Sequence, residues 1–288
     1  MSRGDVTPGG AFLTRPGREF GKPVCRLGLA SHGSTAITAE DVLYAVARGV
    51  NFLNWSGFAE GPPDDDAFPA AVAALGRDRD RVAVCVQFAA RTAAEAAGEL
   101  RSVLSAIRSE YVDVLTLYYI ERADEWDALR GPGGVVEYLR AAQADGVVRR
   151  LGVTSHQRPL AAAMAATGLL DCVMVRYNAA HRGAEREVFP VTTARGLPAI
   201  AYTALRWGAL LRPTPDDPPG FAPPPAPAWY RFALQQPAVS VVLSAPHTRA
   251  ELDEDLEVLK AGGPLPADEY ESLARHGERV RAHAGQFV

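Results

Sequence analysis

Leu151-Gly152-Val153-Thr154-Ser155-His156 is a short apolar run that ends in polar residues. Two later runs, Val175-Arg176-Tyr177-Asn178 and Ala201-Tyr202-Thr203-Ala204-Leu205, have the same design. Each is typical of a β-strand, ends in polar or small residues and precedes a helical pattern. In a barrel of alternating strands and helices, the C-terminal ends of the strands form the mouth of the active site. These runs therefore predict a barrel with their polar residues at its mouth.

Other apolar runs along the chain complete the predicted barrel. Eight runs are short, continuous and rich in Val, Leu and Ile, which is typical of parallel strands covered on both faces. They are Val24-Ala30, Asn51-Asn54, Val82-Gln87, Asp113-Tyr118, Arg149-Thr154, Cys172-Tyr177, Pro198-Tyr202 and Val239-Leu243. Helical patterns separate them, which favours an α/β barrel or a doubly wound sheet. No Gly-x-Gly-x-x-Gly motif follows the first strand, so a TIM (β/α)8 barrel is the favoured fold class.

Two segments lie outside this alternation. Ala11-Phe12-Leu13-Thr14, a turn at Pro16-Gly17 and then Glu19-Phe20 predict an N-terminal β-hairpin within residues 1–22. The Pro-rich stretch 212–228 predicts an extended loop, because proline recurs almost every other residue there. It follows the seventh strand on the mouth side, so either a flap over the site or a plain surface connector fits it. We expect residues 1–288 to form a single domain.

Composition excludes several classes of partner. The chain of 288 residues has a formal net charge of -4 and a pI near 5.9, without the basic patch that nucleic acid or an anionic membrane requires. No signal pattern and no membrane-spanning run is present, so we expect a cytoplasmic protein. Cys25, Cys85 and Cys172 lie in apolar runs without metal-ligand spacing, which predicts buried thiols and no metal. The oligomeric state is left open.

The order and spacing of the runs resemble the aldo-keto reductases, a TIM-barrel family that transfers hydride between NAD(P)H and carbonyl compounds. The resemblance extends from about Val24 to Leu259. It implies a single barrel with an N-terminal hairpin, a nicotinamide cofactor and a small-molecule substrate. It also allows the chain to be compared with the family position by position.

The four catalytic positions of the family all differ in this chain. The aspartate position is Asn54, the tyrosine position is Ala59 (or Phe58, with a shift of one), the lysine position is Gln87 and the histidine position is Tyr118. A proton donor works best when its pKa is near the operating pH, and a free tyrosine has a pKa of about 10. In the family a lysine charge lowers that pKa. Without the acid and the lysine, the proton relay is either reorganised or lost.

The cofactor positions are only partly retained. Thr154-Ser155 stands where the family has a Ser-Asn pair on the nicotinamide carboxamide, and Met174 replaces a glutamine that shares this role. Tyr202 matches the aromatic residue that stacks on the nicotinamide, and the loop after it contributes Thr203 and Leu205.

The family's cations for the adenosine 2'-phosphate are missing from this chain. Their positions are Ala245, Pro246 and Glu251, which cannot form the cationic contacts that recognise a phosphate. NAD(P) is therefore a possible cofactor, and the sequence does not favour NADPH over NADH.

Several polar residues have been gained near the mouth. Arg176 ends the sixth strand, where it either binds an anionic ligand group or pairs with an internal carboxylate such as Glu121 or Glu185. His32 and His156 follow the first and fifth strands, and a histidine serves as an acid or base near neutral pH. Each also fits a plain loop or helix-capping role. The candidate substrate- or anion-binding residues are Arg176, His156 and Trp55.

Three functions remain open at this point. The first is an NAD(P)-dependent oxidoreductase acting on a carbonyl or alcohol, with a non-standard proton relay that uses Tyr118 or a histidine. The candidate catalytic residues are Tyr118, Asn54, Gln87 and His32. Tyr118 alternatively fills space and bonds the two amides. The second function is a non-redox lyase or isomerase, and the third is a non-catalytic ligand-binding role, because a fold alone does not determine function.

Overall fold

Eight parallel strands close into a barrel in the computed structural model, which describes residues 10–15, 19–31, 36–59, 67–260 and 263–283. The predicted fold class is therefore confirmed. An antiparallel pair, β1 (Thr14–Arg15) and β2 (Val24–Cys25), precedes the barrel. The barrel strands are β3 (Leu27–Ala30), β4 (Phe52–Trp55), β5 (Ala83–Phe88), β6 (Val114–Leu117), β7 (Leu151–Ser155), β8 (Cys172–Arg176), β9 (Ala199–Tyr202) and β10 (Val239–Ser244). Each strand pairs with the next, and β10 closes the barrel against β3.

The N-terminal hairpin is present, but its strands differ from the prediction. Ala11–Leu13 forms a 3-10 helix, and the first strand is Thr14–Arg15. The second strand differs as well. It is formed by Val24–Cys25, which we had expected in the first barrel strand, and the hairpin therefore extends beyond residue 22. Glu19-Phe20 does not form that strand, because Phe20 is buried inside the base of the barrel, with its ring 5.1 Å from the ring of Phe52. Arg26 separates β2 from β3. The predicted turn at Pro16-Gly17 lies outside the described residues.

Helices cover the outside of the barrel. They are α1 (Ala39–Ala47), α2 (Ala67–Ala74), α3 (Ala93–Ala106), α4 (Ala123–Leu129), α5 (Val135–Ala144), α6 (Arg158–Ala166), α7 (Ala184–Glu187), α8 (Phe189–Arg195), α9 (Ala226–Leu234), α10 (Arg249–Leu256) and α11 (Ala267–Ala282). Short 3-10 helices span Ala11–Leu13, Gly76–Arg81, Ala209–Leu211 and Glu257–Lys260. Thr38 and Thr92 begin α1 and α3 with capping boxes, in which the threonine hydroxyl accepts from a backbone amide three residues later.

The Pro-rich segment has no helix or strand from 212 to 225, but α9 begins inside the predicted loop. Pro227 fits the first turn of α9. Backbone amides in the first turn of a helix have no acceptor within the helix, so the missing N–H group of proline removes no hydrogen bond there. Asp217 fastens the segment to α11, with its Oδ1 2.9 Å from His276 Nδ1 and 2.6 Å from Arg279 Nε. The ring of Phe221 lies 5.0 Å from the ring of His276. The segment is therefore held against the C-terminal helix.

The barrel interior is apolar in its lower layers. Its core includes Phe52, Cys85, Val114, Met174 and Ile200, and a second, larger cluster packs between the strands and the helices. The three cysteines are buried and free, as predicted for structural thiols.

A buried ion cluster closes the base of the barrel. Asp113 is fully buried and lies 2.7 Å from Lys22 Nζ, 2.7 Å from Arg79 Nη1 and 3.4 Å from Arg149 Nη1. Its Oδ2 also accepts from the backbone amide of Val84 at 3.0 Å. One carboxylate thus joins three separate loops to the barrel.

We expect Asp113→Asn to lower the free energy of unfolding by about 3–5 kcal/mol, because it leaves buried cations without their carboxylate. Urea denaturation followed by circular dichroism measures this change. Glu257→Gln is the control, since Glu257 pairs with Lys260 at the surface and exposed pairs contribute about 1 kcal/mol or less. Equal effects of the two substitutions would contradict the importance of the cluster.

Candidate functional site

Five polar side chains lie near the C-terminal ends of the strands, on the inner side of the barrel mouth. Each lies two residues beyond a position that faces the barrel interior, and side chains alternate along a strand, so each faces inward. They are Asn54, Gln87, Thr154, Arg176 and Tyr202. The structure thus brings together five predicted site residues from five different strands.

Four of these side chains carry buried polar atoms without a partner. Asn54 Oδ1, Gln87 Oε1, Thr154 Oγ1 and Tyr202 Oη make no hydrogen bond to any residue of the described ranges. A buried polar atom left unsatisfied costs about 1–3 kcal/mol. Polar atoms that converge in a concave site are typical of ligand binding. The mouth is therefore built to meet a polar ligand.

An aromatic cluster covers one side of the mouth. The Tyr119 ring lies 4.1 Å from Tyr118, 4.3 Å from the stacked ring of His156 and 6.3 Å from Tyr202. His156 also meets Tyr202 edge-on at 5.8 Å. Tyr119 has a left-handed backbone (φ 42°), which costs energy in a residue with a side chain. Sequence reasoning missed Tyr119, since the strand pattern of the sequence does not signal that conformation.

Glu121 binds His156 through two contacts. Its Oε1 accepts from the backbone amide of His156 at 2.8 Å and lies 3.2 Å from His156 Nδ1. Burial and the positive charge of Arg176 lower the pKa of His156, and Glu121 opposes this shift.

The two carboxylates considered as partners of Arg176 bond to other side chains. Glu121 holds His156, and Glu185 accepts from Arg182 Nε at 2.8 Å and from the Tyr177 hydroxyl at 2.7 Å. The Arg176 guanidinium lies 5.6 Å from the ring of Trp207, which is 53% exposed.

Other predicted site residues lie elsewhere. Trp55 is buried in the layer between barrel and helices, with its ring 5.6 Å from Phe58. Ser155 is next to Thr154 on β7, so its side chain faces the opposite side of the strand. Its hydroxyl accepts from the backbone amide of Gln157 at 3.1 Å. These positions separate Trp55 and Ser155 from the inward-facing set. His32 lies outside the described residues.

The loop after β9 is held in an unusual conformation. Thr203, Arg206 and Trp207 all have positive φ (59°, 50° and 50°). The side-chain amide of Asn178 donates to the carbonyl of Thr203 at 2.8 Å and holds the start of this loop. Leu205 is partly buried against the clusters outside the barrel.

Arg206 and His181 form a second pair that the sequence did not reveal. Arg206 is buried, and its Nε donates to His181 Nε2 at 3.0 Å. Burial and the nearby charges of Arg206 and Arg176 lower the pKa of His181 to about 4. Burial and Arg176 also lower the pKa of Arg206. The positive charge of the mouth is thus concentrated between β8 and the β9 loop.

The start of α10 contains one arginine, and it is engaged by carboxylates. Arg249 Nη1 lies 2.7 Å from Asp41, its Nε lies 3.5 Å from Asp253, and its guanidinium covers the Tyr44 ring at 3.2 Å. Glu251 accepts from the backbone amide of His247 at 2.7 Å.

A buried carboxyl lies at the end of β10. Asp255 is hydrogen-bonded to the hydroxyls of Ser244 and Tyr230. Burial raises its pKa from the ordinary value of 3.8 to about 7, the two hydroxyls oppose this shift, and Glu254 and Glu251 add to it.

The described residues contain neither a metal-binding cluster nor a membrane-spanning helix. No group of three His, Cys, Asp or Glu side chains there is arranged to hold a metal ion. No helix among those residues has the length and apolar character needed to cross a bilayer.

Known proteins resemble this chain in sequence pattern and in fold. Residues 27–227 match the model of the Aldo/keto reductase family. The fold is similar to the aldo-keto reductase AKR11C1 from Bacillus halodurans in its holo form, with a TM-score of 0.73, 15% identity and coverage of 89% of this chain and 93% of that chain. The apo form gives a TM-score of 0.70, 16% identity and coverage of 88% and 92%. No curated protein matches the sequence.

We expect Asp255 to make folding stability depend on pH. Between its ordinary pKa of 3.8 and its folded pKa of about 7, the folded protein keeps a proton that the unfolded chain has released. Stability from this group therefore falls as the pH rises through that window and is constant above it. Urea unfolding across the window should show Asp255→Asn gaining on the wild type until about pH 7. Parallel curves would contradict the assignment.

Proposed function

The chain belongs to the aldo/keto reductase family, and from this membership we propose that it is an NAD(P)-dependent oxidoreductase of a small carbonyl or alcohol substrate. The observation that carries the proposal is the set of unpartnered polar atoms around Tyr202 at the barrel mouth. In a TIM barrel that face carries the active site. The composition leads us to place the protein in the cytoplasm, without a nucleic-acid or membrane partner.

The residues at the mouth fit a nicotinamide ring. The Tyr202 ring offers the stacking surface, and the buried Thr154 Oγ1 offers a hydrogen bond to the carboxamide. Thr203 and Leu205 belong to the loop that would line the cofactor. Ser155 follows the opposite face of β7, so we assign the carboxamide contact to Thr154 alone. When bound, the nicotinamide supplies or takes up the hydride.

The adenosine end fits NADH better than NADPH. Ala245 and Pro246 carry no charge, and Glu251 is a carboxylate. Arg249 cannot compensate, because Asp41 and Asp253 already hold its guanidinium. A 2'-phosphate would therefore lack its cationic partners.

The proton relay of this site differs from that of the family. Asn54 and Gln87 are neutral amides, and Ala59 has no acidic group. Neither amide provides a charge that would lower the pKa of a tyrosine. We therefore place proton transfer on Tyr118 or His156, which meet at the mouth through Tyr119.

Arg176 points to an anionic group on the substrate. It faces inward beside Tyr202, and its charge acts on His156, His181 and Arg206. A guanidinium recognises carboxylate or phosphate through paired hydrogen bonds. A non-redox enzyme or a binding protein for such an anion is the alternative, and cofactor binding decides between them.

We expect NADPH to bind no more tightly than NADH. Each missing charge-assisted contact is worth about 1.5–3 kcal/mol, and NADH loses nothing at that end. Isothermal calorimetry at fixed ionic strength measures both affinities. Ala245→Lys should tighten NADPH alone, and Arg249→Gln should leave the ratio unchanged. A clear preference of the wild type for NADPH would refute the assignment, and silence with both cofactors would favour the non-redox alternatives.

We also expect slow reduction of simple aldehydes such as 4-nitrobenzaldehyde with NADPH. Loss of general acid catalysis costs about two to four orders of magnitude. Combining Asn54→Asp, Ala59→Tyr and Gln87→Lys should recover part of the rate, provided circular dichroism shows a folded variant. The rate is followed by NADPH absorbance beside a family member with intact catalytic residues. Wild-type rates equal to that enzyme would contradict a changed relay.

A further inference from the structure

We infer that Glu121 and His156 form the acid–base pair of this site, with His156 Nε2 as the atom that exchanges a proton with the substrate oxygen. The inference rests on the proposed function and assigns the proton transfer that this function requires. In the oxidation of an alcohol the imidazole accepts the proton, and in the reduction of a carbonyl compound the imidazolium donates it.

The first argument is the orientation of the imidazole. Glu121 Oε1 accepts from the backbone amide of His156 at 2.8 Å and lies 3.2 Å from Nδ1 of the same residue. A carboxylate at Nδ1 places the proton of the neutral ring on that nitrogen. Nε2 then carries the free lone pair, since the hydrogen bonds of His156 within the described part of the chain involve its backbone amide and Nδ1.

The second argument is the position of the ring. His156 stacks on Tyr119 at 4.3 Å with an angle of 26° between the ring planes, and it meets Tyr202 at 5.8 Å and 78°. Tyr202 is the proposed stacking surface of the nicotinamide. Hydride and proton are exchanged at adjacent atoms of one carbonyl group, so the proton carrier must lie beside that surface.

The backbone at Tyr119 supports the same assignment. Its φ of 42° is left-handed, a conformation that side chains other than glycine adopt at an energetic cost. Strained residues cluster at active sites, where they fix a neighbouring group. Here the strained residue presents the ring on which the imidazole stacks.

The third argument is the set of charges that face the imidazole. Arg176 approaches from β8, Glu121 from the loop after β6, and the hydroxyl-bearing rings are those of Tyr119 and Tyr202. Burial and Arg176 lower the pKa of His156, while Glu121 raises it. The imidazole is therefore neutral near pH 7 and ready to accept a proton.

The proton step follows from these positions. The O–H bond of the substrate alcohol breaks, and an N–H bond forms at His156 Nε2. A bound nicotinamide would accept the hydride from the carbinol carbon, and the C=O bond of the product would form as the hydride leaves. In the reverse direction, the imidazolium returns its proton to the carbonyl oxygen.

Tyr202 is a poor alternative for this role. Burial is the largest effect on its hydroxyl and raises its pKa well above the ordinary value of 10.0, with Tyr119 adding to the rise and Arg176 opposing it. A group with a strongly raised pKa neither gives up nor takes a proton easily near neutral pH. His181 is already bonded through its Nε2 to Arg206.

Nitrogen NMR of the ¹⁵N-labelled protein tests the pair without a substrate. His156→Gln assigns the signals, which should show a neutral ring protonated on Nδ1 and a pKa below the ordinary value. Glu121→Gln should lower that pKa further and abolish the preference for Nδ1. Arg176→Gln should raise the pKa, and His283→Gln, at the exposed Asp216 contact, should change neither property. A neutral ring protonated on Nε2, or a titration unchanged in Glu121→Gln, would overturn the inference.

Activity provides the second readout, with benzyl alcohol and NAD⁺ as the probe from about pH 5 to about pH 9. We expect the wild-type rate to rise with pH through the pKa of His156. His156→Gln should lower kcat by about 10²- to 10⁴-fold with little change in KM or in NADH affinity. Turnover that survives this substitution would overturn the inference and leave the proposed function intact. A wild type that binds neither NADH nor NADPH would refute both, and with a cofactor bound but no turnover the NMR result decides.

Discussion

Closure of eight parallel strands forces every second residue of each strand into one shared interior. In this protein the lower layers of that interior are apolar, with Phe52, Cys85 and Met174 among them. The layer at the C-terminal ends is polar, and its atoms cannot find enough partners within the barrel. The fold therefore creates the site by geometry, since a closed ring of strands must end in a ring of side chains. The chemistry of the site depends on which residues fall in that last layer.

The strands and their order could be predicted from the sequence because buried parallel strands have a simple signature. Continuous apolar runs located every barrel strand, and the resemblance to the aldo-keto reductases identified Asn54, Gln87 and Tyr202 as residues of the mouth. The hairpin was predicted incorrectly at both strands, since Ala11–Leu13 forms a 3-10 helix and the second strand is Val24–Cys25. The sequence does not show that Phe20 enters the base of the barrel, or that the side chain of Arg26 bonds to the carbonyls of Phe12 and Leu234.

The site was predictable for residues on the strands or directly after them, such as Tyr118 and His156. Glu121, Tyr119 and Arg206 lie in loops, and their roles depend on backbone conformations that local patterns do not encode. A positive φ at Tyr119 and Arg206 reflects tertiary contacts, since neither residue favours it alone. The pairing of Glu121 with His156 joins residues 35 positions apart through two loops. The charges of the mouth thus lie on Arg176 at the end of β8 and on Glu121 and Arg206 in the loops after β6 and β9.

Trp207 lies at the barrel mouth and differs in exposure from the other tryptophans. The other tryptophans, Trp55, Trp126 and Trp229, are buried, whereas Trp207 is 53% exposed and lies 5.6 Å from the Arg176 guanidinium. Its indole samples solvent at the edge of the barrel mouth, so its emission differs in wavelength from that of the buried indoles. The protein therefore carries an intrinsic optical reporter at the entrance to its own site, and arrival of a molecule there can be followed without a label.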